Sequence, residues 1–207
     1  MKTSVQIVVL SILGVFFLAG SITPALSQDE KVRAKIGMEI KSGERATSAK
    51  SRDRLEAGDL LRIYVHPEMS SYVYVVHTDQ ETVTLLNMVE QKIRSSTLVL
   101  PSVQEFYEVD GKAAVEAFTI ICSPTELPEL SILSNSEVSH EKWAAIEGEL
   151  IERSRIVLTQ KSERPFAIAG NVRGGLGGGS VDPFVEKLRI FSGKSHLVKR
   201  YEFSVKK

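Results

Sequence analysis

The chain has 207 residues, with 26 lysines and arginines against 26 aspartates and glutamates, and so no formal net charge at neutral pH. A balanced charge gives no global field to steer the protein to nucleic acid or to an anionic membrane surface, and no nucleic-acid partner is expected. The single cysteine, Cys122, excludes an intrachain disulfide, so stability has to come from packing, for which a chain of this size is adequate.

The first 27 residues are organised as a secretory signal peptide. Lys2 supplies a positive start, and an apolar stretch from Ile7 to Ile22 follows, broken only by Ser11, Gly14, Gly20 and Ser21. Pro24 ends it, and Ala25-Leu26-Ser27 places small residues at the −3 and −1 positions of a cleavage site. The stretch is shorter than the ~20 residues that span a bilayer, although an uncleaved Ile7–Ile22 anchor is the alternative. No cysteine lies near the cleavage point, which removes a lipid anchor. The expectation is a periplasmic or secreted protein of a bacterium, of the Gram-negative type, with no transmembrane span after cleavage. The remaining chain carries 25 basic and 26 acidic residues.

Residues 28–53 read as a polar lead-in, with one early strand at Ala34–Ile40. Residues 54–207 read as a single β-rich domain. Glu56-Ala57-Gly58-Asp59 is a turn signal, and Leu60 to Val65 alternates, with Leu61, Ile63 and Val65 on one face and Arg62 and Tyr64 on the other. After the turn-rich His66–Ser71, the segment Tyr72–His77 is β-branched and aromatic, and Thr82–Leu86 follows the turn Thr78–Glu81. These three strands are expected to form an antiparallel meander, with Val65 opposite Tyr72 and Leu60 opposite His77. Thr97–Leu100 and Ala117–Cys122 are further strands, and Asp110-Gly111 marks a tight turn between them. Ser139 caps a helix over about 139–154, with Trp143, Ile146 and Leu150 in one apolar stripe. Ile156–Leu158 and Phe166–Ile168 are short strand candidates, residues 170–180 are glycine-rich, and Leu197–Val205 alternates. The fold class is mainly β with one clear helix: an antiparallel sandwich-like or barrel-like sheet.

None of the chemistry-bearing patterns meets its template, so no catalytic residue, metal ligand or cofactor is assigned. Gly193-Lys194-Ser195 ends like a phosphate loop, but position 188 is Leu and the following residues alternate like a strand; a β-turn is the better account. The glycines between Gly170 and Gly179 lack the helix that a dinucleotide fingerprint must open. His66 and His77 sit at opposite ends of the expected hairpin, on the order of 20 Å apart at ~3.4 Å per residue, too far to share a metal. Cys122, in Phe118–Cys122, reads as a buried, inert thiol. The candidate binding residues are Tyr64, Tyr72 and Tyr74, aromatics on a sheet face, together with Arg173 and Asp182 beside the glycine-rich loop.

The runs Leu55–Val65, Ser71–Asp79, Val83–Asn87 and Leu100-Pro101 resemble the bacterial family of domains of unknown function numbered 4384, across roughly Arg54 to Ser123. That family has a Gly-Asp strand followed by a Tyr-rich strand and a third ending in Phe-Pro, where this chain has Leu86-Asn87. The resemblance implies an exported or surface-associated accessory module and supplies no active-site residues. The leading expectation is therefore an exported, non-catalytic module that binds an envelope or periplasmic protein. The alternative is a small-ligand protein or enzyme with its site around Gly170–Ser180.

Overall fold

The structure, a computed structural model, describes residues 31–89, 91–135, 138–155 and 182–206. Alternation on one long strand sets the architecture. On β1 (Val32–Ser42), Val32, Ala34, Ile36, Met38 and Ile40 are all buried, while Arg33, Lys35 and Glu39 point outward. β4 (Leu60–Pro67) pairs antiparallel with β1 along its length, and β10 (Arg189–Gly193) and β2 (Arg45–Ser48) share the other edge of β1. β7 (Leu98–Leu100) and β8 (Tyr107–Glu108) complete this first sheet against β4. The second sheet runs β3 (Arg54–Glu56), β11 (Leu197–Lys206), β9 (Val115–Ser123), β5 (Tyr72–Thr78), β6 (Val83–Leu85). β3 and β11 pair parallel, and the other pairings among the described residues are antiparallel.

The two sheets stack face to face. The inward residues of β1 and β4 meet Val73 and Val75 of β5, Phe118, Ile120 and Cys122 of β9, and Leu197, Tyr201 and Phe203 of β11 in one core. The class is thus mainly β and sandwich-like, and the described strands do not close into a barrel. Cys122 is fully buried in this core, and burial pushes its thiol up to about 12, so it behaves as a small hydrophobe.

The outer face of the second sheet is covered by helices. Tyr74, Val76 and Ile121 pack against Leu127, Leu130, Trp143 and Leu150. α1 (Ile132–Asn135) is a single turn, and α2 (His140–Ser154) carries the expected stripe. Ser139 caps α2, its hydroxyl accepting from the Lys142 N–H at 3.3 Å. One polar residue joins the buried side of α2: the Glu147 carboxylate accepts from the Thr119 hydroxyl on β9 and from the Arg200 guanidinium on β11.

One expectation is borne out and extended, and one is corrected. The early strand expected at Ala34–Ile40 forms, and it is longer, running over Val32–Ser42 as an inner strand of the first sheet. The β4–β5 hairpin does not form. β4 pairs with β1, β7 and β8 in one sheet, and β5 pairs with β6 and β9 in the other. Both strands present an apolar face to the same core, so the connection at Glu68–Ser71 crosses from one sheet to the other. The β5–β6 hairpin does form. The expected turns are present, with Gly58 at φ +89° and Gly111 at φ +72°, and Gly193 lies where an added Cβ would sit 2.0 Å from the His196 carbonyl. The strands expected at Ile156–Leu158 and Phe166–Ile168, the glycine-rich loop and the leader lie outside the described residues. No described helix is long and apolar enough to cross a membrane.

Candidate functional site

At one end of the sandwich the inward positions turn polar. Along β5 the series Val73, Val75 continues to His77; along β9 the series Ile120, Phe118 continues to Glu116. The register sets His77 opposite Phe118, one step from Glu116, and the imidazole Nε2 bonds the Glu116 carboxylate. The ring rests against Phe118 with centroids 4.9 Å apart. Nε2–H donation to Glu116 leaves Nδ1 of a neutral ring as an acceptor.

This pair lines a cavity of 170 Å³ between the sheets, walled by Leu61, Leu86, Val109 and Phe118 and rimmed by Asp79, Tyr107, Glu108 and Asp110. The β5–β6 turn shapes one side. Asp79 accepts from the Glu81 N–H at 2.7 Å, the Thr82 N–H at 2.6 Å and the Thr82 hydroxyl at 3.0 Å. Burial acts to raise the Asp79 carboxyl, but these bonds outweigh it and hold the group below its usual range. The loop after β8 shapes the other side. Asp110 takes the Lys112 ammonium at 2.9 Å and the Lys112 N–H at 2.9 Å, and these bonds hold its carboxyl low. Burial raises the Tyr107 phenol. Negative charge therefore dominates the mouth, and its cation, Lys112, is tied to Asp110.

Two of the five candidate binding residues meet elsewhere. On the outer face of the first sheet, the Tyr64 hydroxyl lies 2.6 Å from Asp182 and 3.1 Å from Glu39. A phenol has one proton to donate, and the shorter distance assigns it to Asp182. Arg62 stands between them, 3.6 Å from Asp182 and 3.9 Å from Glu39, donating to the Tyr64 oxygen at 3.3 Å and to the Glu105 carbonyl at 3.1 Å. Phe106 covers the guanidinium at 3.7 Å, and Phe184 stacks on Tyr64 at 4.8 Å. Burial raises the Tyr64 phenol, reinforced by its bond to Asp182. Burial also acts to raise Asp182, but the Tyr64 hydroxyl, the Phe184 N–H and Arg62 hold it low. Tyr64 is 0% exposed, and this group forms a clamp over the sheet.

The other candidates are dispersed. Tyr74 is buried on the opposite side of the molecule, its hydroxyl accepting from the Leu127 N–H at 3.1 Å. Tyr72 is half-buried on the same strand face, with the Lys92 ammonium 5.4 Å from its ring. Arg173 lies outside the described residues. His66 bonds Thr97 in the first sheet, so it and His77 belong to different sheets rather than to the two ends of one hairpin. Among the described residues no group of three or more His, Cys, Asp and Glu is arranged to hold a metal ion.

The pair that sequence reasoning missed, His77 and Glu116, had a signal. Each continues an inward alternation past its last apolar residue. Compared with protein-family models, curated proteins and solved structures, the chain matches none of them.

Proposed function

We propose that the protein is an exported, non-catalytic binding module of a bacterial cell envelope, and that it holds a partner protein by taking one basic side chain into the loop-end cavity. The cavity carries this reading. Its 170 Å³ is well below the roughly 300–1,000 Å³ of small-molecule pockets, and suits one side chain better than a whole ligand. Its apolar walls suit the stem of a lysine or arginine. The second oxygen of Glu116 and Nδ1 of His77 suit the charged head, and Asp79, Glu108 and Asp110 repel an acidic one. Export rests on the N-terminal pattern, and the resemblance over residues 54–123 points the same way.

Fluorescence anisotropy with a labelled Arg-Gly hexapeptide tests this reading. Binding is expected, and Glu116→Gln should weaken it about tenfold or more, because a hydrogen bond to a charged group contributes about 1.5–3 kcal/mol. Absence of binding, or equal binding by the variant, would overturn it.

A second reading, a small-ligand protein or enzyme, draws on the same residues. A carboxylate-oriented imidazole is half of a general base, and Tyr107 lines the cavity beside it. That reading gains if a neutral small molecule, and not the basic peptide, moves the His77 resonances.

A further inference from the structure

Where β10 of the first sheet approaches β11 of the second, two cations occupy inward positions. The register fixes their direction, because residues directly opposite in a sheet share a face. On β10, Phe191 lies opposite Ala34 and Arg189 opposite Ile36, and both partners are core residues of β1. On β11, Lys199 lies opposite Ile120 and Tyr201 opposite Phe118, again core residues. Leu197, Tyr201 and Phe203 make the inward series of β11 apolar, and Lys199 interrupts it.

The lysine is half-buried and held in place. Its ammonium lies 4.6 Å from the Tyr201 ring centroid on its own strand and 5.1 Å from that of Phe191 on the facing sheet. One N–H donates to the Ser51 hydroxyl at 2.7 Å. The turn Lys50–Asp53 fixes that hydroxyl, since the Arg52 N–H donates to the Glu202 carbonyl at 2.9 Å and the Asp53 N–H to the Lys50 carbonyl at 3.1 Å. An ammonium has three N–H groups, and the other two meet no protein acceptor among the described residues.

No carboxylate answers these charges. Among the described residues neither Lys199 nor Arg189 forms an ion pair. Asp53 accepts from the Lys50 N–H at 2.7 Å, and Glu202 pairs with Arg200 on the opposite face of β11. Burial, and after it the Arg189 charge, lowers the pKa of the Lys199 ammonium. Two like charges at neighbouring inward positions repel, and an anion between them turns that repulsion into attraction. Their number sets its valence: a dianion balances both cations, whereas one carboxylate leaves a positive charge over. A guanidinium fork beside an ammonium also suits the several oxygens of a phosphate.

We infer that this edge of the sandwich is a binding site for a phosphate dianion carried as a monoester, taken between the Lys199 ammonium and the Arg189 guanidinium while Ser51 braces the lysine. Arg189 and the Lys199–Ser51 bond are both exposed, so the anion can reach them from solvent. The site is separate from the loop-end cavity, whose mouth is acidic.

The ¹⁵N-labelled protein is titrated at about pH 7 with glycerol 3-phosphate, a dianion there because the second pKa of a phosphate monoester is about 6, with ionic strength held constant. Saturable shifts are expected at Ser51, Arg52, Arg189–Phe191 and Lys199–Tyr201. Lys199→Met keeps the apolar stem, removes the charge and should weaken binding about tenfold or more. Arg189→Gln, at an exposed position, should do the same and serves if Lys199→Met disturbs the fold. Co-sedimentation with vesicles containing phosphatidic acid separates the sources. Sedimentation that depends on Lys199 assigns a lipid headgroup, and its absence beside saturable glycerol 3-phosphate binding assigns a soluble phosphate. Three results would overturn the site: no saturable shift up to about 10 mM, tenfold above a millimolar Kd; an equal response to glycerate, a monoanion of similar size; or undiminished affinity in a folded variant lacking either cation.

Discussion

The two outer faces of the sandwich are covered in opposite ways. Over the second sheet lies α2, 15 residues long, with a capped N-terminus and an apolar stripe that buries Trp143 and Leu150. A single polar residue, Glu147, interrupts that contact. Over the first sheet lies a short helical turn, Pro183–Lys187, contributing one buried side chain, Phe184. A segment so short cannot hold a helical conformation by its own hydrogen bonds. It is held instead by Arg62, Tyr64, Glu39 and Asp182, and by an approach to Gly37 so close that an added Cβ would meet Leu188 Cδ2 at 2.6 Å. One cover is made by hydrophobic burial with a polar accessory. The other is made by a charged network with a hydrophobic accessory.

The largest expected effect breaks that contrast at its polar end. Arg62 is 8% exposed, and Arg62→Ala leaves Glu39 and Asp182 facing each other without a cation. Removing one member of a buried charged group typically costs about 3–5 kcal/mol, and urea unfolding should show a loss of that size. Glu147→Gln on the other face should cost less, about 1–3 kcal/mol, because the amide oxygen can still accept from Thr119 and only the bond from Arg200 loses its acceptor and its opposite charge, while the apolar stripe stays. Far-ultraviolet circular dichroism should show α2 still formed in that variant. A loss equal to that of Arg62→Ala would mean that both covers depend on charge alike. Gly37→Ala should cost about 1–2 kcal/mol, since the Leu188 side-chain end can shift to admit a methyl group, and it should loosen the Pro183–Lys187 turn in hydrogen exchange.

pH separates the two faces without mutation. His196 is buried beneath the C-terminal part of α2, donating from Nε2 to the Leu150 carbonyl at 2.8 Å, and burial lowers its pKa. A lowered histidine pKa means that the unfolded chain binds the proton first as pH falls. Stability is therefore complete above about 6.5, the ordinary histidine value, and is lost below it. Asp182 is also lowered, so its contribution is complete above about 3.9, the ordinary aspartate value, and is lost as pH falls through its depressed folded value. Melting temperature against pH should show a first decline below about 6.5 that disappears in His196→Gln. A second, below about 4, should disappear in Asp182→Asn.

The same contrast explains what could be read from the sequence. α2 was legible because Ser139 and the positions of Trp143, Ile146 and Leu150 are local information. β5 and β9 were legible as β-branched, aromatic and apolar runs, and β11 by its alternation, for the same reason. Pairing was not. β4 and β5 are adjacent in sequence and both read as strands, and nothing local reveals that the chain between them changes sheets. Tyr64 and Asp182 were each singled out, but for other reasons than their contact across 118 residues of chain. Neither periodicity nor spacing reports a contact of that range, and Arg62, the centre of the clamp, looked like an ordinary outward residue of a strand. His77 and Glu116 are 39 residues apart, and their meeting follows only from the β5–β9 register.

That meeting is the centre of the functional account, and one measurement tests it directly. The ¹⁵N-labelled protein is titrated with an unlabelled Arg-Gly hexapeptide and the shifted amides are mapped. The account expects saturable shifts confined to His77–Glu81, Tyr107–Lys112 and Glu116, the loops and strand ends around the cavity. Shifts centred instead on the Arg62 clamp or on α2, or no saturable shift at all, would contradict it.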